Sequence, residues 1–208
     1  MQIDPFAIME AAAVVLGLIS VYLTVKQNIW CWPTGIAMVT LYVIVFFHAR
    51  LYSDVVENTI YIPLQIFGWW AWVYGGKKKN ELPVTRLSAR WLAFWIVEIA
   101  VVSCAVGYYM ANYTNAVVPY LDAFTTVLSL TAQVIMSYKK IENWVMWIIV
   151  DVFALYIYAI NGLYMTTGLY AIFLALAVSG LLEWRKSMRE QTKEVALWKT
   201  PVVPERAA

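Results

Sequence analysis

Charged side chains are scarce in this sequence of 208 residues, where they account for 13% of positions. A typical soluble domain carries about 25% charged residues, so an ordinary soluble domain is excluded. The formal net charge is only +2, and the lysines and arginines are dispersed along the chain. This dispersal excludes the continuous basic face of a nucleic-acid-binding protein, and no nucleic-acid partner is predicted.

Histidine and cysteine are also rare. The only histidine is His48, and the two cysteines, Cys31 and Cys104, fall in different apolar segments. Such a set provides neither a disulfide framework nor a metal-ligand spacing. The sequence also lacks a nucleophile elbow, a zinc-protease helix and a phosphate-binding loop, since Gly75-Gly76-Lys77 does not have the required spacing. We therefore predict no metal site and no cofactor, and we do not expect an enzyme.

Long apolar segments are abundant, as 62% hydrophobic residues and a mean hydropathy of +0.67 indicate. A helix needs about 20 mainly apolar residues to cross a bilayer, so the chain has room for about seven. The runs are too long and continuous for the alternating strands of a membrane barrel. The predicted fold is an all-α integral membrane protein with one transmembrane domain, 1–190, and a mobile cytoplasmic tail, 191–208. The predicted spans are 9–26, 31–49, 55–74, 90–112, 120–138, 144–161 and 166–184.

Lysine and arginine fall almost entirely on one side of these spans, and short cytoplasmic loops are enriched in both residues. Arg50 is the only one on the opposite side. We therefore predict that the N-terminus lies outside and the C-terminus in the cytoplasm. The first span lacks a basic leader and a cleavage site, carrying Asp4 and Glu10 instead, so we expect it to be retained. The basic residues that follow spans 1, 3, 5 and 7 are Lys26, Lys77, Lys78, Lys79, Arg86, Arg90, Lys139, Lys140, Arg185, Lys186, Arg189 and Lys193.

A shift of 112 positions without gaps aligns the two halves of the chain and indicates an internal duplication. Spans 1–3 (about 9–74) would match spans 5–7 (about 120–184), with span 4 (about 90–112) as a linker. An even number of crossings separates the triplets, so they form a parallel repeat, and transporters commonly bind substrate between such halves. The identical pairs include Trp32 and Trp144, Ile36 and Ile148, Leu51-Tyr52 and Leu163-Tyr164, Ile60 and Ile172, Gly68 and Gly180, and Trp72 and Trp184.

Polar and aromatic residues recur at three- and four-residue steps in four spans, which places them on one face of each helix. The stripe of span 3 is Asp54, Asn58, Tyr61, Gln65, Gly68, Trp69 and Trp72. The stripe of span 5 is Asp122, Thr126, Ser129, Gln133 and Met136. The stripe of span 6 is Asn143, Trp144, Trp147, Asp151 and Tyr158, and a weaker row in span 1 is Glu10, Gly17, Ser20, Thr24 and Asn28.

Polar side chains are costly in hydrocarbon and usually face the bundle interior, a water-filled cavity or a ligand. Facing stripes would form a pathway of amides, hydroxyls and indoles for an aromatic solute that carries hydroxyl groups. The alternative is that the polar side chains only join neighbouring helices. Asp151, near the middle of a span, favours a functional role, whereas Asp54 and Asp122 lie nearer the outer surface.

The eleven tryptophans need a separate interpretation, since tryptophan is enriched at both membrane surfaces. Trp144 and Trp147 fit such a belt or a binding site equally well. Trp69, deeper and one turn from Gln65, is the better candidate for stacking on a ring. His48 lies at the outer end of span 2, where an interfacial role is expected. The tryptophans that fit the belt are Trp30, Trp32, Trp91, Trp95, Trp184 and Trp198.

Three segments carry a more specific signal, namely Leu51-Tyr52, Gly68-Trp69-Trp70-Ala71-Trp72 and Lys140-Ile141-Glu142-Asn143-Trp144-Val145-Met146-Trp147. Together they resemble the PnuC family of bacterial nicotinamide riboside transporters. The resemblance extends over about residues 10–190, and Glu-Asn-Trp-x-x-Trp is its most specific part. The family's Tyr-Gly-Trp-x-x-Trp pattern has Phe67 in place of the tyrosine, which removes a hydroxyl there.

The resemblance implies seven helices in a 3+1+3 order, similar to SWEET sugar facilitators, and facilitated diffusion of nicotinamide riboside across the bacterial inner membrane. It also implies a homotrimer and a separate cytoplasmic kinase that traps the riboside by phosphorylation. Asn143, Trp144 and Trp147 correspond to the family's span-6 motif, and Gln65, Gly68 and Trp69 to its span-3 motif. The predicted substrate-binding residues are Asn58, Tyr61, Gln65, Trp69, Ser129, Gln133, Asn143, Trp144, Trp147 and Asp151.

The expected mechanism is alternating access, in which the two triplets rock about a central site and Asp151 compensates the positive charge of the pyridinium ring. Gly68 and Gly180 would allow close helix approach, and Pro33 and Pro63 local bending. Two alternatives stay open. One is a proton-coupled vitamin or nucleoside symporter that uses Glu57, Asp122 or Asp151. The other is a membrane scaffold that transports nothing.

Overall fold

The computed structural model describes residues 5–76, 82–114, 116, 118–160, 162 and 164–199. Within that part of the chain there are seven α-helices, as predicted. Helix boundaries agree with the predicted spans to within about four residues, except at the last end. The helices are α1 (Pro5–Val25), α2 (Cys31–His48), α3 (Tyr52–Tyr74), α4 (Ala89–Tyr113), α5 (Pro119–Ser137), α6 (Glu142–Ile160) and α7 (Tyr164–Lys199).

Helix α7 is longer than its predicted span, because it continues past residue 184 to Lys199. The added segment is rich in Arg, Lys, Glu, Gln, Met and Ala, which have high helix propensity. The helix therefore runs into the segment 191–208 that the sequence analysis assigned to a mobile tail. Pro201 and Pro204 of that tail lie outside the described residues, as do Lys77, Lys78 and Lys79.

Five helices, α1, α2, α4, α6 and α7, are long and apolar enough to cross a membrane by length and composition. Helices α3 and α5 contain 23 and 19 residues, which is also a spanning length. Each carries one of the predicted polar stripes, which lowers the hydropathy of its spanning segment. These helices confirm a multi-pass membrane protein.

Six of the helices form a ring. Helix α1 packs on α2, α2 on α3, α3 on α5, α5 on α6, α6 on α7, and α7 again on α1. Helix α4 packs against α5. The order of contacts places α2 and α6 in opposite positions of the ring, each between two helices of its own half of the chain. The seams α3–α5 and α1–α7 join the two halves.

The turns at both ends of the ring repeat at the interval of 112 residues. Gln27 and Lys139 adopt positive φ angles of 55° and 48°, and Arg50 and Gly162 adopt 61° and 72°. Few residues other than glycine take this conformation, so two coincident pairs indicate one local geometry built twice. Helices α3 and α7 also begin at equivalent residues, Tyr52 and Tyr164.

Tryptophan rings pack against two glycines at equivalent places in the two halves. A Cβ atom on Gly68 of α3 would overlap the ring of Trp32 on α2. A Cβ atom on Gly180 of α7 would overlap the ring of Trp144 on α6 in the same way. Each half therefore packs its first interior tryptophan against a neighbouring helix that lacks a side chain at the contact.

Candidate functional site

Four tryptophans form a buried layer at one end of the ring, where α1, α3 and α5 end and α2 and α6 begin. We call Trp32, Trp72, Trp144 and Trp184 the tryptophan layer; each is at most 4% exposed. The rings of Trp32 and Trp72 meet edge to face with centroids 5.2 Å apart, and those of Trp144 and Trp184 do so at 5.4 Å. Trp72 and Trp184 lie 5.9 Å apart and connect the two pairs.

Two of these tryptophans bond to the opposite half of the chain. Trp72 of α3 donates its indole N–H to the main-chain carbonyl of Met136 on α5, at 3.2 Å. Trp184 of α7 donates to the carbonyl of Thr24 on α1, at 3.1 Å. Donors and acceptors are each 112 residues apart, so the two bonds are equivalent and reciprocal. We call this pair of hydrogen bonds the indole latches.

The loop between α3 and α4 covers the tryptophan layer. Val84 is buried and belongs to the same apolar cluster as the four rings. Thr85 fixes the loop, since its N–H donates to Lys139 O at 3.1 Å and its carbonyl accepts from Ile141 N at 3.0 Å. The ammonium group of Lys139 lies 4.4 Å from the centroid of the Trp72 ring, a cation–π distance. This end of the ring is therefore closed.

The tryptophan layer corrects part of the sequence interpretation. Trp32 and Trp184 were assigned to the membrane-surface belt, but both are fully buried because they pack on other rings and beneath the loop. Trp69, the predicted stacking residue, is 40% exposed, whereas Trp72 is buried. The stacking role of Trp69 stays a prediction. Of the other belt tryptophans, Trp30 and Trp91 are exposed and Trp95 is half-buried.

Within the layer and next to it lie buried polar atoms that have no hydrogen-bond partner in the described structure. They comprise the Nε2 atom of Gln133, the Oδ1 atom of Asn143 and the indole nitrogens of Trp32 and Trp144. Gln133 is one turn from the end of α5, Asn143 and Trp144 are in the first turn of α6, and Trp32 is in the first turn of α2. An unmet buried donor or acceptor costs about 1–3 kcal/mol, so this level of the ring carries a substantial penalty.

A hydroxyl network occupies the middle of the α3–α5 seam. The Tyr61 hydroxyl donates to Ser129 Oγ at 2.8 Å. Ser129 Oγ in turn has two acceptors, Glu57 Oε1 at 3.3 Å and the carbonyl of Thr126 at 2.9 Å. Gln65, one turn from Tyr61, is buried and packs its amide against Gly35 of α2. Two predicted residues, Tyr61 and Ser129, are thus in direct contact.

The remaining predicted residues differ in their surroundings. Asp151 is 5% exposed near the middle of α6. Trp147 is half-buried and packs against the apolar clusters on both sides of α6. Asn58 donates to the carbonyl of Asp54 in its own helix at 2.9 Å, which is a local helix bond. His48, the last residue of α2, stacks on Phe6 with ring centroids 3.5 Å apart.

Sequence reasoning missed two tyrosines, Tyr42 of α2 and Tyr170 of α7. The Tyr170 ring stacks on Tyr158 of α6 at a centroid distance of 5.2 Å, and Tyr170 interacts electrostatically with Asp151 and with Tyr42. Tyrosine faces suit a cationic aromatic ring, and the acid adds a negative charge. No polar stripe was recognised in span 2 or span 7, so helical spacing singled out neither tyrosine.

These side chains are suited to binding a neutral or cationic organic solute. Within residues 5–76, 82–114, 116, 118–160, 162 and 164–199, no three His, Cys, Asp or Glu side chains gather as metal ligands. Indole and amide donors, an amide acceptor, hydroxyls and one deeply buried carboxylate can together bind hydroxyl groups, a carboxamide and an aromatic ring.

Comparison with known proteins gives a consistent result. A family model described as nicotinamide mononucleotide transporter matches residues 7–186. The nicotinamide riboside transporter PnuC of Escherichia coli is 28% identical over 88% of this chain and 87% of its own length. PnuC of Neisseria mucosa is 27% identical over 91% of this chain and 76% of its own length.

A relative named for a different substrate is also similar. The riboflavin/roseoflavin transporter RibM of Streptomyces davaonensis is 24% identical over 87% of this chain and 86% of its own length. Among solved structures, the crystal structure of the vitamin B3 transporter PnuC matches with a TM-score of 0.72 at 24% identity. That match covers 90% of this chain and 84% of the other, and it shows that the two share a fold.

Substitution of Gln133 distinguishes a ligand-binding role of its buried amide from a helix-packing role. We expect Gln133→Met to leave the unfolding temperature of the ligand-free protein in detergent unchanged or higher, since it removes a donor that has no partner. Tyr61→Phe, which removes the 2.8 Å bond to Ser129, should lower stability by about 1 kcal/mol. Equal destabilisation by both variants would instead assign Gln133 to helix packing.

Proposed function

The chain belongs to the nicotinamide mononucleotide transporter family, and we propose that it transports nicotinamide riboside across the bacterial inner membrane. Five apolar helices make it a multi-pass membrane protein, and relatives named PnuC are riboside transporters by name. The proposed movement is facilitated diffusion through a site between the two three-helix halves. The family is one of transporters and not of enzymes.

The observation that carries this proposal is the set of buried polar atoms without partners at Trp32, Gln133, Asn143 and Trp144. Three of them are donors and one, Asn143 Oδ1, is an acceptor. A riboside offers hydroxyl oxygens to the donors, and its carboxamide N–H₂ matches the acceptor. Buried side chains are usually satisfied within the protein, and the one other partnerless buried side-chain atom among the described residues, Ser103 Oγ, lies on α4 outside the ring.

The positive charge of the nicotinamide ring has a counterpart in the middle of the ring of helices. Asp151 supplies a carboxylate there, and Tyr170 and Tyr158 supply aromatic faces on α7 and α6. Gln65, Tyr61 and Ser129 lie at the α3–α5 seam. In this arrangement Trp147, which lies between the tryptophan layer and Asp151 along α6, stacks against the solute.

The full architecture that we propose is the 3+1+3 parallel repeat, with α1–α3 and α5–α7 as halves and α4 as linker. The repeated turns, the paired glycine contacts and the indole latches support it. The N-terminus is placed outside and the C-terminus inside. Lys26, Arg86, Lys139 and Arg185 all lie near the tryptophan layer in the chain, so the layer faces the cytoplasm under the positive-inside rule.

The proposed mechanism is alternating access, with the structure closed on the cytoplasmic side. Each indole latch joins one half of the protein to the other, so both must break when the halves separate at this end. A net contribution of about 1 kcal/mol for each hydrogen bond makes closure favourable yet reversible. Solute that reaches the partnerless polar atoms offsets their penalty, which lowers the cost of rearrangement.

A proton-coupled symporter is the second candidate, favoured by the intramembrane carboxylates Glu57 and Asp151. Asp122 is the third predicted proton site. Two partner assignments complete the proposal: a homotrimer, and a cytoplasmic kinase that phosphorylates the riboside and so retains it. Both derive from the family resemblance.

Direct binding tests the substrate. Wild-type protein in nanodiscs should bind nicotinamide riboside, as measured by calorimetry, and the mononucleotide should bind at least tenfold more weakly because its phosphate brings a charge that the buried site cannot solvate. Gln133→Met should weaken riboside binding about tenfold, equivalent to about 1.4 kcal/mol, by removing one donor. Asp151→Asn should do the same by removing the counter-charge.

The controls are a plain nucleoside and riboflavin, the latter chosen because of the relative named for it. Preferred binding of riboflavin would move the substrate assignment to a flavin. If Asp151→Asn keeps the wild-type riboside affinity while Gln133→Met loses it, only the proposed charge role of Asp151 is contradicted.

The indole latches can be tested with a cysteine that the protein already has. Cys31 is buried within the cluster around the tryptophan layer, and Cys104 is exposed. In a Cys104→Ser background, Trp184→Phe should raise the rate of maleimide labelling of Cys31 about fivefold, since about 1 kcal/mol of closure is lost. Adding Trp72→Phe should raise it about twenty-five-fold over the background.

Trp70→Phe is the matched control, because Trp70 is on the same helix as Trp72 but 57% exposed. Its labelling rate should equal that of the background. An unchanged rate in the Trp72→Phe, Trp184→Phe double variant would show that the two hydrogen bonds do not hold this end closed.

A further inference from the structure

The two halves share their backbone geometry but differ in the chemistry of the seams between them. In the α3–α5 seam the Tyr61 hydroxyl bonds to Ser129. The residues 112 positions away in the α1–α7 seam are Phe173 and Gly17. The Phe173 ring lies within 4 Å of the place that a Cβ atom on Gly17 would occupy, so the same contact is made without any polar group.

Two intramembrane carboxylates, Glu57 and Asp151, follow the same division. Glu57 of α3 is equivalent to Leu169 of α7, and Asp151 of α6 is equivalent to Val39 of α2. The polar members of these pairs therefore all lie on α3, α5 and α6, and the apolar members all lie on α1, α2 and α7. A pathway of two identical halves would bind a solute in two opposite orientations, whereas this division favours one.

Glu57 is fixed in place by the hydroxyl network. Its Oε1 atom lies 3.3 Å from Ser129 Oγ, which also accepts the Tyr61 bond. Among the described residues the only ion pair joins Lys26 to Glu183, so no lysine or arginine of that part neutralises Glu57. An intramembrane carboxylate that accepts from one hydroxyl and has no paired cation is unfavourable, and a cationic solute relieves that cost by pairing with it.

A second observation points to a ligand at the same face. Gln133 is one turn from Ser129 on α5, is 3% exposed, and has an amide nitrogen without a partner. Residues four apart share a helix face, so Gln133 and Ser129 face the same region. The polar seam thus combines a fixed carboxylate with a buried donor that has no partner.

We propose that Glu57 is a specificity-determining residue, which selects a positively charged ring over a neutral one and orients it toward the α3–α5 seam. Tyr61 acts as a positioning residue through Ser129. This inference rests on the proposed riboside transport. It adds that the α3–α5 seam contributes to charge selection through Glu57, in addition to the counter-charge that Asp151 supplies on α6.

The test compares two ligands that differ in ring charge. Nicotinamide riboside is cationic, and its 1,4-dihydro form has the same ribose and carboxamide but no charge. For wild-type protein in nanodiscs, calorimetry should give tighter binding of the cation. Glu57→Gln, which keeps the shape and an oxygen acceptor for Ser129, should weaken binding of the cation about tenfold and change binding of the neutral form less than twofold.

Glu98→Gln is the matched control. Glu98 Oε2 accepts from Thr131 Oγ1 at 3.2 Å, which is also a carboxylate–hydroxyl pair with α5, but it involves α4. This variant should keep the wild-type ratio of the two affinities. Tyr61→Phe should lower the ratio by less than Glu57→Gln, because it loosens Ser129 while leaving the charge.

If the ratio of the affinities for the cationic and the neutral ligand is unchanged in Glu57→Gln, or if both affinities fall equally, the proposed role of Glu57 is overturned. The proposed riboside binding would not be affected by that result. If Glu57→Gln does not fold, Tyr61→Phe decides, and an unchanged ratio there overturns the proposal. Failure of the wild-type protein to bind either ligand would instead overturn the proposed function, and this inference with it.

Discussion

Two hydrogen bonds from indole nitrogens to main-chain carbonyls connect the halves of this protein at one end of its helix ring. Trp72 bonds to Met136 and Trp184 to Thr24. Each tryptophan also packs edge to face on the ring of its own half, and that ring in turn contacts a glycine of the neighbouring helix. Closure, helix spacing and the position of the adjacent polar atoms therefore depend on the same contacts.

Hydrocarbon offers no partner to a buried polar group, so each group must be satisfied within the protein or carry a penalty. Ser20, Thr24 and Ser137 meet this requirement with carbonyls of the helices. Gln133, Asn143, Trp32 and Trp144 do not. The first group consists of hydroxyls and the second of amides and indoles, and the second group is the one that the proposed function assigns to the solute.

Much of the fold could be predicted from the sequence, because long apolar runs have few ways to be solvated. Identities at an interval of 112 residues, such as Gly68 with Gly180, also indicated the repeated contacts. The acceptors of the indole latches could not be predicted, since a main-chain carbonyl leaves no trace in the sequence. Trp184 was assigned to the membrane surface because its burial depends on distant segments, including Val84 of the α3–α4 loop. Helical spacing placed Trp69 and Trp72 on one stripe of α3, but it could not predict that Trp72 is buried while Trp69 is partly exposed.

Under the proposed alternating access, a solute site between the halves opens to one side at a time, and counterflow measures this property. Protein-only liposomes would be preloaded with unlabelled nicotinamide riboside, and the initial entry of labelled riboside would be compared with entry into empty liposomes. We expect faster entry into the preloaded liposomes, with no dependence on an imposed pH gradient. Equal rates would indicate a channel, a response to the pH gradient would indicate symport, and no entry would contradict transport altogether.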